Sequence, residues 1–287
     1  MMKRKAEHIN DLGLNNKSRQ RRAFIIRLII GILFISPLVL GFIFSFVSNR
    51  QLNMLPTFEK VINNLTFDNY RWVFKTIPIL TYIKNSLIMC AISISVQLIL
   101  SSFSAYAFAF FDFPFKNLVF NMIVAAMMIP GAVTTVANYL LVQEIGLMNT
   151  YLGMSVLFFV SGTSIFMMRQ YYLTIPKELK ESSVIDGCSD MLFLLKIVMP
   201  MSVPVYAALA IRQFISVYNA FIWPLLVATN QKMHTVQIGM AMIVDSEQMN
   251  FGYILAGAIS SIVVPLFAFL FGQKYLISGI AKGAIKG

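Results

Sequence analysis

Glu178, Glu181, Asp186 and Gly187 crowd into one short stretch of a chain with only 12 Asp and Glu. Carboxylates there suit the positive N-terminal end of a helix and can pair with a cation on another surface. The other reactive types are scattered. His8 and His234 fall in a tail and in a loop, and Cys90 and Cys188 are too few for a disulfide framework. The chain has no GxxxxGK[ST] phosphate loop, no HExxH, no GxSxG and no Cys/His cluster of metal spacing. No nucleophile is paired with a base. The sequence therefore predicts a protein that is not an enzyme, holds no metal or cofactor, and takes any energy it uses from elsewhere. Arg212 stands apart as a lone cation within a long apolar region.

The elements that must position these residues follow from composition. Charged residues make up 12% of the 287, about half of what a water-facing surface carries, against 58% hydrophobic residues and a mean hydropathy of +0.74. That excludes a soluble globular protein and a disordered one. Long uncharged intervals, the fifth able to cross about 30 Å of hydrocarbon only by extending back through Arg212, predict helices near 26–46, 85–110, 118–140, 152–172, 201–223 and 253–272. The runs do not alternate as barrel strands do. The expected fold is all-α and integral to the membrane, with six transmembrane helices. Residues 1–25 read as a basic arm, 26–273 as the membrane domain and 274–287 as a tail. With the N-terminus inside, most of the 23 Lys and Arg fall on one face, which marks that face as cytoplasmic and puts both termini there. This asymmetry accounts for the net charge of +11 without nucleic acid.

The acid-rich stretch then lies on the cytoplasmic side. Pro176 opens a helix well, Glu178 and Glu181 suit its first turns, and Gly187 is a helix stop or left-handed turn. A second short helix from about Ser189 leads to Pro200. The loop is expected to be a helix–turn–helix lying off the membrane.

The spacing of Glu181, Gly187, Ile197 and Pro200 resembles the E-A-A, three residues, G, nine residues, I-x-L-P loop of bacterial ABC importer permeases. Ser182 and Ser183 stand where the alanines usually stand, and Met199 replaces the leucine. Asp186 beside Gly187 is similar to the sugar-importer branch. So are Phe67-Asp-Asn-Tyr70, Ala105-Tyr-Ala-Phe-Ala-Phe110, Met128-Ile-Pro-Gly131 and the chain end from Gln273, which extends the resemblance from about residue 67 to residue 287. It points to the smaller permease of maltose-type carbohydrate importers. The resemblance implies that Glu178, Glu181, Ser182, Ser183, Asp186, Gly187, Ile197 and Pro200 form coupling helices that dock in a cleft of a separate ATPase subunit. Glu181 would be the ion-pair partner and Gly187 the turn that allows close approach. It also implies that Lys282, Gly283, Lys286 and Gly287 reach into the ATPase dimer interface. The implied partners are a second permease, two ATPase subunits that bind ATP and Mg, and an extracellular substrate-binding protein in a bacterial cell membrane. The implied cargo is a carbohydrate.

Polar residues inside the spans are candidates for the translocation path. Arg212 lies near mid-depth, where a charge costs at least ~2.5–3.5 kcal/mol. It either meets polar or anionic substrate or pairs structurally with a carbonyl or a partner acid. Asn219, seven residues on, shares its helix face. Tyr218 and Asn138 complete this set. The resembling permeases often have an acid after the asparagine, where this chain has Ala220. In the outer loop before the last span, Gln237, Gly239, Gln248 and Asn250 are candidates for contact with the binding protein. A re-entrant cap packed on the bundle is the alternative form of that loop. The rival functional class is a stand-alone channel or secondary transporter, which would show intramembrane acids or inverted repeats. An importer permease for a non-sugar solute is a further alternative.

Overall fold

In the computed structural model the backbone is described for residues 2–48, 52, 65–246 and 250–284, and side chains for those between 20 and 270 other than 245. Among these residues the secondary structure is helical apart from one isolated bridge, Val47 to Leu65. The chain divides into two units, Met1–Trp72 with Glu247–Ile259 and Val73–Ser246 with Ser260–Gly287.

The first unit is built on helix α1, Met2–Phe44, at whose end Asn69 staples the chain. The Asn69 amide donates to the carbonyls of Ser45 and Val47, both at 2.8 Å, and Ser45 Oγ lies 2.7 Å from Tyr70 Oη. Trp72 stacks on Tyr253 with centroids 4.3 Å apart. The apolar segment Gln20–Phe44 of α1 has no buried residue.

Helix α2 is Asp68–Thr76. The second unit is organised around α3, Ile79–Phe110, about 48 Å long at 1.5 Å per residue. Its buried face mixes apolar residues such as Tyr82, Met89 and Tyr106 with an unusual number of polar ones. Asn85, Ser86, Ser93, Gln97, Ser101 and Ser102 are buried, whereas Leu87, Ile99, Leu100 and Phe103 are exposed. A helix that faces lipid keeps its apolar side chains outward and its small and polar ones at helix contacts. The following helices are α4 Lys116–Ala126, α5 Gly131–Glu144, α6 Tyr151–Ser155, α7 Gly162–Tyr172, α8 Lys177–Ile185, α9 Asp190–Phe193, α10 Val203–Tyr218, α11 Ile222–Val227, α12 Val236–Ser246 and α13 Phe251–Ala284. Helices α6, α7, α10 and α12 pack on α3.

Three helices among the described residues are individually long and apolar enough to cross a membrane: Gln20–Phe44, α3 and Phe251–Leu270. Of the three further spans the sequence predicts, 118–140 and 152–172 fall on bent pairs and 201–223 begins where a third pair bends, so the described residues reach six spans only if each pair counts as one. The turns are 98° between α4 and α5, 54° between Tyr151–Phe158 and α7, and 76° between Asp190–Met201 and α10. Each bend has a local cause. Pro130 precedes α5 and cannot continue the α4 hydrogen-bond ladder. Ser161 caps the N-terminus of α7 by accepting from Ser164 N. At the third bend Pro200 and Pro204, four residues apart, remove two ladder amides, and a π turn over Leu194–Val198 absorbs the mismatch.

Candidate functional site

Helix α8 presents two faces. Leu179 and Ser183, four residues apart, turn inward, and Ser183 is only 4% exposed, with its hydroxyl donating to Lys180 O at 2.7 Å. A small residue is required there because α8 lies against a core of Tyr106, Met168, Tyr172, Phe193, Leu194 and their neighbours. Glu178, Glu181, Ser182 and Asp186 are on the outer side and exposed. Beside them Val184 and Ile185 are 61% and 85% exposed, so the outer surface mixes carboxylates with bare apolar groups.

Gly187 ends the helix. Its φ of 71° is left-handed, its N–H donates to Val184 O at 3.0 Å, and the N–H of Cys188 reaches Ser183 O at 2.8 Å. This pair of bonds is a Schellman cap. The turn hands over to Ser189, whose hydroxyl accepts from Leu192 N and caps α9. Ile197 is partly buried against the core and Pro200 is exposed at the bend into α10.

Residues outside the sequence-derived set hold this loop in place. The Lys180 ammonium is paired with Asp190 Oδ1, donates to Tyr106 Oη at 3.3 Å, and sits 4.8 Å from the centre of the Phe193 ring. Burial opposes the charge on Lys180. The hydrogen bonds and charge attraction from Asp190 and Tyr106 outweigh it and hold the ammonium above its ordinary range. One turn back along α3, Ser102, Tyr172 and Tyr206 form a closed ring of hydroxyls. Ser102 to Tyr172 is 2.8 Å, Tyr172 to Tyr206 is 2.7 Å, and Tyr206 donates back to Ser102. Arg169 adds a bond from Nε to Phe108 O at 3.2 Å and lies 4.2 Å over the Phe120 ring. Tyr106 lies in the Ala-Tyr-Ala segment, and its i, i+4 relation to Ser102 on an apolar helix was the available signal.

The opposite end of α3 carries a second polar cluster. Asn85 donates to the carbonyls of Lys232 and His234 at 2.8 and 2.9 Å and accepts from Tyr151 Oη at 2.7 Å. Ser86 accepts from Val236 N at 2.9 Å. These bonds seat α12 on the bundle. Gly239 is buried against the Tyr82 ring, whose carbons leave no room for a Cβ. The Gln237 amide donates to Asn219 Oδ1 at 3.2 Å, joining two residues that the sequence placed in separate groups. Arg212, Ser216 and Asn219 share an exposed face of α10. Tyr218 turns inward and donates to Ser261 O at 2.9 Å. Asn138 is half-buried on α5. Asn250 accepts from Tyr253 N at the start of α13. Gln248, Lys286 and Gly287 lie outside the described residues, as does the side chain of Lys282; the backbone of Lys282 and Gly283 continues α13.

Residues 97–281 match the protein family described as binding-protein-dependent transport system inner membrane component. The chain is 33% identical over 226 residues to the arabinooligosaccharides transport system permease protein AraQ of Halalkalibacterium halodurans, covering 78% of this chain and 81% of that one. It is 30% identical over 266 residues to the sn-glycerol-3-phosphate transport system permease protein UgpE of Brucella melitensis, covering 89% and 94%. In fold it is similar to a chain of a bacterial ABC transporter involved in the import of the acidic polysaccharide alginate. The TM-score is 0.76 at 20% identity, over 88% of this chain and 94% of that one.

Proposed function

Because the chain belongs to the family of binding-protein-dependent transport system inner membrane components, we propose that it is one permease subunit of an ATP-driven importer for carbohydrate. The observation that carries the reading is the loop through Gly187. Its outer surface offers Glu178, Glu181 and bare Val184 and Ile185, while its inner surface is locked to the bundle core. Such a surface suits docking into a partner, and such a mounting suits transmission of a rigid displacement.

In this reading a second permease completes the path. Two ATPase subunits bind ATP and Mg and grip the loop, and an extracellular binding protein delivers substrate to the α12 end. The Lys- and Arg-rich face, with the loop and both termini, is cytoplasmic in a bacterial cell membrane. Closure of the ATPases drives the loop and, through it, α3, α7 and α10. The tail residues Lys282, Gly283, Lys286 and Gly287 add a contact with the ATPases. Oligosaccharide is the favoured cargo because of the transport named for AraQ and for the alginate importer. A second reading, an anionic solute, is favoured by Arg212 on the exposed face of α10 and by the likeness to UgpE.

The test is reconstitution in proteoliposomes with the partner permease, ATPase and binding protein. Labelled arabino-oligosaccharide is expected inside only with ATP and the binding protein present. Accumulation that needs no ATPase would make the chain a channel or secondary transporter and overturn the reading.

A further inference from the structure

Helices α8 and α9 are joined by short covalent links to α7 and α10, yet α3 meets them only through side chains. Phe110 packs edge-to-face on Phe193 at 5.5 Å, and Tyr106 supplies the polar contact. Tyr106 is 4% exposed, fixed among Phe110 and Phe111 at centroid distances of 5.0 and 5.4 Å, and its hydroxyl faces both Lys180 at 3.3 Å and Asp190 at 3.4 Å. Lys180 closes the triangle by pairing with Asp190 across the Gly187 turn, so the same ammonium ties α8 to α9 and both to α3. Its ammonium also lies 4.8 Å over the centre of the Phe193 ring, a cation–π contact with α9. Four residues back along α3, the Ser102–Tyr172–Tyr206 ring joins α3 to α7 and α10. In a ring of three hydroxyls each donates once and accepts once, so the layer needs no outside partner and survives in an apolar surround.

We propose that Lys180 is a positioning residue that makes the loop and α3 one mechanical body, with the hydroxyl ring passing the displacement on to α7 and α10. This rests on the importer reading above and adds the residue through which force leaves the loop. Lys180 does not touch the cargo. Its removal is expected to leave the outer docking surface of α8 intact and to break the polar tie between that surface and α3, leaving only apolar contacts that can slip. A hydrogen bond to a charged group in this range corresponds to about tenfold in the ratio of attached to detached loop.

The experiment uses the reconstituted four-part importer and measures solute imported per ATP hydrolysed, together with the amount of ATPase that co-purifies. Lys180→Met keeps the stem and removes the charge. It is expected to retain the ATPase and its ATP hydrolysis while import per ATP falls about tenfold. The double variant Lys180→Asp, Asp190→Lys restores the pair and is expected to recover import per ATP to within about twofold. Unchanged import per ATP in Lys180→Met overturns the proposal. So does equal loss in the swapped pair, because a role in packing alone predicts no rescue by reversed charge. If Lys180→Met fails to assemble, Tyr106→Phe removes one hydroxyl and keeps the ring. Loss of coupling in that variant supports the tie, and full coupling overturns it. A parent complex that imports nothing with ATP refutes the importer reading and takes this inference with it.

Discussion

Replacing Gly187 tests whether the loop is held by its backbone turn or by the space around it. An ideal Cβ built on Gly187 meets no heavy atom within 4 Å, so Gly187→Ala creates no clash within the chain. The whole cost comes from the φ of 71°, which is about 1–2 kcal/mol for an ordinary L residue. Two cap bonds oppose release of the turn, Gly187 N to Val184 O at 3.0 Å and Cys188 N to Ser183 O at 2.8 Å. They are together worth a similar amount, about 1 kcal/mol each. The native turn and a frayed helix end therefore become comparable in free energy, and the population of the intact cap relative to the frayed one should fall about 5- to 30-fold. Asn tolerates the left-handed region and should lose less, whereas a β-branched Val should lose more. The expected order of ATPase co-purification and of ATP-driven uptake is Gly, then Asn, then Ala, then Val. Loss that follows side-chain volume, with Asn worse than Ala, would refute the backbone argument. It would show instead that a docked partner fills the space outside the turn.

Three further outcomes follow from other parts of the chain. Gly153→Ala would drive a Cβ into the carbonyl of Leu147 and to 3.2 Å from Val227 Cγ1. It should lower the thermal midpoint of the purified protein by a change worth about 1–3 kcal/mol, while Gly31→Ala, with nothing within 4 Å, should not. Burial lowers the pKa of His234 below its ordinary 6.5, so the residue contributes stability above pH 6.5 that is lost as pH falls through the lower folded value. The thermal midpoint should therefore drop between pH 7.5 and 5, and His234→Gln should flatten that dependence. If Arg212 meets an anionic cargo, Arg212→Gln should reduce uptake of an acidic oligosaccharide about tenfold relative to a neutral one. Equal loss for both cargoes would assign it to a structural pair.

The legible parts of the molecule were those written in short stretches. Gly187 reads as a helix stop because a left-handed residue after an amphipathic turn is nearly always glycine, and the structure has that cap at 71°. Pro130, Pro200 and Pro204 stand in the sequence for anyone to see, but the size of the turns they permit does not. A missing amide allows a bend of any angle, and the packing of neighbouring helices selects 98° in one place and 76° in another. The loop before the last span could be read as an extended tip or as a packed cap. Asn85 and Ser86 favour the cap by supplying its backbone groups with partners, Tyr151 holds the Asn85 amide in place, and all three are far away in sequence.

By itself, then, the sequence determined the membrane class, the position and handedness of the turn at Gly187, and the spacing of Glu181, Gly187, Ile197 and Pro200. Composition and local backbone preference act over a few residues and need no knowledge of the fold. Only the tertiary structure decided that α3 buries Asn85, Ser86, Ser93, Gln97, Ser101 and Ser102 and that Gln237 meets Asn219. It alone brought Lys180 to Tyr106 and Tyr106 to Asp190, pairs separated by 74 and 84 residues. Such contacts form only where several helices are packed at once. Nothing in the immediate surroundings of Lys180 tells its ammonium apart from any other surface lysine until α3 is placed beside it.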